Sequence, residues 1–271
     1  MVIGKLQAAN IQLPITNYTL LMNPAVTILG VPIHDVTMNE ACEHAERLIL
    51  AGGAHQFATV NPEFVMAAQR DSGFMKALQH TTLNVPDGAG ILWAAGRRRR
   101  PLRERVPGIE LMVNLCGIAS AHQWRVYFLG AAPGVAGRAA AALALQFPGL
   151  MVAGTHAGSP AEAEAPAIVE RIRAARPHML FVAYGAPAQD TWLARHLPLC
   201  SDAGAAGFGA GLVGMGVGGA FDMAAGLQKR APEWMRDANL EWLYRLIRQP
   251  WRIKRQSALL RYVAAAMLES R

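Results

Sequence analysis

Cysteine is scarce in this chain of 271 residues: Cys42, Cys116 and Cys200 lie far apart and cannot all pair. Neither C-x-x-C, nor H-E-x-x-H, nor a Cys/His cluster at zinc spacing occurs, which argues against a disulfide scaffold or a zinc module and makes a reducing cytosol the expected compartment. Charged residues are also few, at 17% against 52% hydrophobic, with a mean hydropathy of +0.18. Such a chain is too apolar to be disordered and should bury a sizeable core. The 26 glycines and 16 prolines follow no G-X-Y period, so a collagen-like chain is excluded. A continuous apolar leader is missing too. Residues 1–23 carry only Lys5 as a charge, but Gln7, Asn10, Gln12, Thr16 and Asn17 break the stretch, so no signal peptide is expected. The uncharged run Ala203 to Phe221 holds eight glycines and ends in Asp222. Glycine weakens helices, so the run reads as a glycine-rich turn around a buried strand rather than a membrane span.

The positive charge that is present is concentrated. The net charge is +7 and the pI about 9.8. Residues 97–105 hold six arginines and Glu104, while residues 229–271 hold ten basic and four acidic residues. The rest of the chain is mildly acidic. The C-terminal segment also carries Trp234, Trp242, Trp251, Tyr244 and Tyr262. Aromatics interleaved with arginines suit a bilayer interface or a phosphate-bearing ligand, although each segment could equally be a solvated face. No recognised nucleic-acid motif occurs, so nucleic acid is not an expected partner.

Hydrophobic periodicity predicts strands at 26–31, 56–60, 82–85, 125–129, 150–153 and 179–183. Helices are expected at 37–51, from 62 through Met75, and at 109–121. Further helices are expected up to Phe147, at 162–175 and at 189–196. Thr37 and Glu40 have capping-box spacing, and Asn61-Pro62 is a helix start. This alternation implies an α/β fold with a largely parallel, Rossmann-like sheet covered by helices. From Pro232 onward the pattern is helical, with a break at Pro250. The expected organisation is therefore an extension over 1–25, an α/β core over 26–228 and a basic, aromatic helical appendage over 229–271. The appendage is too short to build much core alone.

Ligands of parallel sheets bind at the carboxyl ends of strands, so polar residues just past a strand are candidates. Thr59 and Asn61 fall there, as do Asp87-Gly88, Gly130 to Gly134 and the Gly185 to Gln189 stretch. Each has an ordinary reading as well. Asp87-Gly88 can be a plain turn, Asn61 a helix cap, and Arg105-Val106-Pro107-Gly108 a charged surface turn. Gly130 to Gly134 can cradle an anion at a helix start but is not the G-x-G-x-x-G fingerprint. Gly214 to Gly219 before Phe221-Asp222 can be close packing.

Taken in order, the motifs are more specific. They run T-V-N-P-E-F (59–64), P-D-G-A-G-I (86–91), E-R-V-P-G-I-E-L (104–111) and V-Y-F-L-G-A-A-P-G-V (126–135). Y-G-A-P-A-Q-D (184–190), G-V-G-G-A-F-D (216–222), R-A-P-E-W (230–234) and L-E-W-L-Y-R-L-I-R-Q-P-W-R-I-K-R (240–255) follow. The chain resembles the bacterial WecG/TagA/CpsF family of glycosyltransferases over about 26–261. The leading residues and the segment near 203–214 depart from the pattern, and the usual G-x-P-x-Q-E ends here in Asp190. The resemblance implies an inverting, metal-independent transfer from a UDP-sugar to a polyprenyl-diphosphate-linked sugar in bacterial surface-polysaccharide synthesis. It implies Asp87 as general base, with Thr59, Asn61, Gln189 and Arg105 beside it. Gly130, Asp222, Arg245, Arg252 and Arg255 are the implied substrate-binding residues, the three arginines closing over the site from the appendage. It further implies peripheral association with the inner membrane face, homo-oligomers and no cofactor.

The residue chemistry points the same way. No D-x-D is present to hold a divalent ion on a nucleotide diphosphate, so arginines and helix N-termini must neutralise the leaving group. Two other readings compete. A nucleotide-sugar oxidoreductase or epimerase needs a dinucleotide fingerprint after its first strand, where Gly30-Val31-Pro32-Ile33 stands instead. A noncatalytic membrane-binding module rests on the charged segments alone.

Overall fold

The structure is a computed structural model that describes residues 22–201, 210–228, 231, 232, 234, 235, 244 and 253–269. The described chain opens on an antiparallel hairpin of β1 (Val26–Ile28) and β2 (Val31–Ile33), with Val26 opposite Ile33. The sequence reads as one strand over 26–31; the structure reverses the chain at Leu29 and Gly30, both at positive φ. Leucine seldom adopts that conformation, so nothing in its identity announces the turn. Pro32, just past the strand expected at 26–31, pairs with Thr27 inside β2.

Next comes α1 (Met38–Ala51), capped as expected: the Thr37 hydroxyl accepts from the Glu40 N–H at 3.2 Å and the Glu40 carboxylate accepts from the Thr37 N–H at 3.0 Å. Then follow β3 (Ala54–Val60), α2 (Pro62–Ala68), α3 (Ser72–His80), β4 (Leu83–Pro86) and α4 (Ala89–Arg97). The single helix expected from 62 through 75 is two, because Asp71 accepts from the Phe74 N–H at 3.0 Å and starts a new one. The sequence reading assigned no element to α4: it contains Gly90 and Gly96, and Gly88 before it offers no side-chain cap. The remainder is α5 (Gly108–Ala121), β5 (Arg125–Gly130), α6 (Val135–Gln146), β6 (Met151–His156), α7 (Ala165–Ala175), β7 (Met179–Ala183), α8 (Ala188–Cys200), β8 (Leu212–Gly216), α9 (Ala220–Ala224) and α10 (Ile253–Glu269).

Six strands form one parallel sheet in the order β4-β3-β8-β7-β5-β6. The glycine-rich segment thus supplies a central strand, β8, every residue of which is buried. Its glycines let helices lie close: a Cβ at Gly214 would meet the Leu197 side chain of α8 at 2.6 Å. One face of the sheet packs against α1, α5 and α6, around Phe57, Phe128 and Phe181. The other packs against α2, α3, α4 and α10 at one end, and α7 and α8 at the other. Burying each large apolar side chain stabilises the fold by about 1.5–3 kcal/mol. Helices on both faces keep the parallel sheet dry. All three cysteines are buried, and burial pushes the Cys42 and Cys200 thiols up to about 12. Among the described residues, no helix is long and apolar enough to cross a membrane.

Candidate active site

β4, β3, β8 and β7 lie side by side, and the loops leaving their carboxyl ends line a cavity of about 840 Å³. After β4 the chain crosses to β5 on the far side of the sheet, and such reversals open a crevice where parallel sheets bind ligands. Thr59, Asn61, Asp87, Arg105 and Gln189 all line this one cavity. They come from four segments separated by up to 130 residues in sequence, and parallel pairing of β3 with β4 and β8, and of β8 with β7, brings the strand ends together.

Asp87 is fixed by its backbone. Its N–H donates to the Val60 carbonyl at 2.8 Å, and the Val106 N–H donates to the Pro86 carbonyl at 2.7 Å, so the β3, β4 and 105–108 segments lock together. Its Oδ2 lies 3.5 Å from the Gly108 N–H at the start of α5. Gly88, at φ +97°, then turns the chain into α4, a conformation that glycine adopts without cost. The carboxylate thus faces the N-terminal end of α5.

Thr59 is buried and touches the same α5 start: a Cβ at Gly108 would sit 3.0 Å from Thr59 Oγ1. Asn61 is the helix cap that the ordinary reading proposes, its Oδ1 accepting from the Phe64 N–H at 3.0 Å, and it is also a cavity residue. The two roles are compatible, because the amide nitrogen keeps two donors for a ligand.

Gln189 joins two loops. Its Oε1 accepts from the Gly185 N–H at 3.1 Å and from the Gly218 N–H at 2.9 Å, which ties the β7–α8 loop to the β8–α9 loop. A Cβ at Gly216 would meet its Nε2 at 2.6 Å, so the amide fits only against glycine. Next to it, Asp190 is fully buried, with the Gln189 amide as its polar neighbour, and among the described residues neither carboxylate oxygen reaches good hydrogen-bond geometry. Burial pushes its carboxyl up to about 7.

Other expected residues fall elsewhere. Gly130 ends β5, one strand beyond β7 in the sheet and outside the cavity lining. Its φ of +102° and the Ala183 carbonyl carbon, 2.8 Å from where a Cβ would be, account for glycine there by packing alone. Asp222 lies in the first turn of α9, beside the lining residues Gly219 and Met223 but not itself among them. Arg245 and Arg252 lie outside the described residues, and Arg255 falls in the first turn of α10.

Sequence reasoning missed part of the wall. Ala67 from α2, Trp93 from α4, and Leu259 and Val263 from α10 also line the cavity. The spacing of four between Leu259 and Val263 marks one helix face, but not what that face meets.

Comparison with known proteins places this architecture. The sequence profile described as the glycosyl transferase WecG/TagA/CpsF family matches residues 26–271. An N-acetylglucosaminyldiphosphoundecaprenol N-acetyl-beta-D-mannosaminyltransferase of Bacillus subtilis (strain 168) is 31% identical over 214 residues, 79% of each chain. The protein of the same name from Staphylococcus aureus (strain MW2) is 32% identical over 236 residues, 86% of this chain and 89% of that one. With its parallel sheet, its cavity at the strand ends and this extent of similarity, the chain belongs to the WecG/TagA/CpsF family and is a glycosyltransferase.

Proposed function

We propose that this enzyme transfers a sugar of the N-acetylmannosamine type from a UDP-sugar to a sugar carried on a polyprenyl diphosphate, with inversion and with Asp87 as general base. The observation that carries the reading is the placement of the Asp87 carboxylate in a cavity shared with Thr59, Asn61, Arg105 and Gln189. The names of the relatives supply the sugar and the class of acceptor.

In this reading Asp87 accepts the proton of the acceptor hydroxyl as that oxygen attacks the anomeric carbon. The bond to the donor's diphosphate breaks as the new glycosidic bond forms, and UDP leaves with the electron pair. One base per transfer suffices for an inverting displacement. Thr59 and Asn61 orient the acceptor by hydrogen bonds. Gln189 acts through the two loops it ties, holding the backbone beside Gly185 and Gly218 in place. Positive charge for the departing diphosphate comes from Arg105 and from Arg245, Arg252 and Arg255 of the appendage, each contact strengthening as charge develops. The appendage and its tryptophans hold the enzyme at the inner membrane face, where a lipid-linked acceptor resides.

The test is UDP release from UDP-N-acetylmannosamine with a synthetic polyprenyl-diphosphate N-acetylglucosamine, with and without EDTA. Acceptor-dependent release that survives EDTA is expected. Release without glycosylated lipid product, or strict dependence on added divalent ion, overturns the reading. Sugar oxidation or epimerisation in place of transfer would identify the competing enzyme class.

A further inference from the structure

The cavity wall is of two kinds. The strand ends contribute hydroxyl, amide, carboxylate and guanidinium groups, whereas α2, α4 and α10 contribute mainly apolar ones, among them Ala67, Trp93, Leu259 and Val263, with Glu63 in the first turn of α2 the one charged side chain on these helices that lines the cavity among the described residues. Sugars and a nucleotide diphosphate present hydrogen-bonding groups over most of their surface, and Leu259 and Val263 offer them no partner. In the proposed reaction one moiety alone is hydrocarbon: the chain of the acceptor lipid. Resting on that reading, we propose that the α2–α4–α10 part of the cavity is an apolar subsite for the first isoprenoid units of the acceptor.

Three observations support this assignment. First, the wall is built rather than incidental. Tyr262 is fully buried, and its hydroxyl donates to the Gly90 carbonyl of α4 at 3.1 Å. At the far end of α10, Glu269 pairs with Arg98 and accepts from the Leu29 N–H at 2.7 Å. Leu259 and Val263 flank Tyr262 on the docked face, so these contacts fix where they point. Second, both residues are only partly buried, which leaves apolar surface facing the cavity. Third, the Arg97 guanidinium lies 5.7 Å from the centre of the Trp93 ring. A cation held at the edge of an apolar wall matches an amphiphile whose diphosphate adjoins its hydrocarbon chain.

The proposal is tested by binding rather than turnover, so that its failure is separable from failure of the transfer reaction. Farnesyl diphosphate and methyl diphosphate are titrated by calorimetry into the full-length protein, below the micelle concentration of the former. The expected result is at least roughly tenfold tighter binding of the farnesyl compound, since apolar area leaves water with each added methylene. Val263→Thr, which keeps the side-chain shape, and Leu259→Asn should each reduce that ratio severalfold, and together bring it close to one. Leu259→Met should preserve it. The ratio is read within each variant, so a general loss of folded protein leaves it unmoved. No chain preference in the wild type, or a preference that survives the double variant, overturns the proposal. So does a double variant that loses affinity for UDP while keeping its chain preference, because the wall would then hold the nucleotide base.

Discussion

The two halves of the sheet end in loops of similar composition but dissimilar use. Past β3, β4 and β7 stand Asn61-Pro62, Asp87-Gly88 and Gly185 to Gln189; past β5 stands Gly130 to Gly134. All follow a strand, all precede a helix, and all read as candidate ligand loops. The first three meet at one cavity, and the fourth lies outside its lining. In the site half, polar side chains bridge segments: Asp87 faces Gly108, and Gln189 ties Gly185 to Gly218. In the β5 half the contacts are backbone packing, with the Ala131 N–H donating to the Ala183 carbonyl at 3.0 Å and Gly130 pressed against the same residue. A polar turn after a strand becomes a site only where strand order puts several such turns together.

The largest expected effect breaks the site half at its base. Asp87→Asn should lower kcat by about 10²–10⁴-fold with UDP-sugar affinity little changed. Steady-state kinetics on folded protein checks this, and near-normal activity across pH would reduce Asp87 to a turn residue.

Asp190 gives the next effect, on stability. Burial pushes its carboxyl from an ordinary 3.8 up to about 7, so between these values the folded protein keeps a proton that the unfolded chain gives up. Stability attributable to this group is therefore greatest below 3.8, falls as pH rises to about 7, and is flat above. Asp190→Asn removes that loss, so its stability relative to the wild type should rise between pH 5 and pH 8, by at most roughly 3 kcal/mol. Thermal unfolding of both proteins across this range measures the difference, and parallel pH profiles would show the buried carboxyl to be compensated.

The smallest expected effect separates the β5 half from the site. Gly130→Ala should cost about 1–3 kcal/mol through strained backbone and close approach, while KM for the UDP-sugar holds. A raised KM with unchanged stability would return this loop to the nucleotide site.

Much of this was legible in the sequence because it is local. Thr37 and Glu40 form their capping box and Asn61 its helix cap, since each needs only residues within one turn. The alternation of apolar strands and helices specified a parallel sheet, and the order of short motifs specified the family. What local pattern could not carry stayed hidden, namely the reversal at Leu29-Gly30 and the uncapped α4 with its two glycines, whereas the split at Asp71 is a local cap that a continuous helical pattern masked.

The sequence by itself determined the polar residue types of the candidate site and their positions near the ends of strands. Tertiary structure decided which of them share a cavity. Strand order is a choice among pairings that bury similar apolar faces, and no single segment encodes it. It also decided that Leu259 and Val263, about two hundred residues from Asn61, complete the wall beside it. A helix face specifies that it must be buried, and the partner that buries it is settled only when α10 meets α2 and α4.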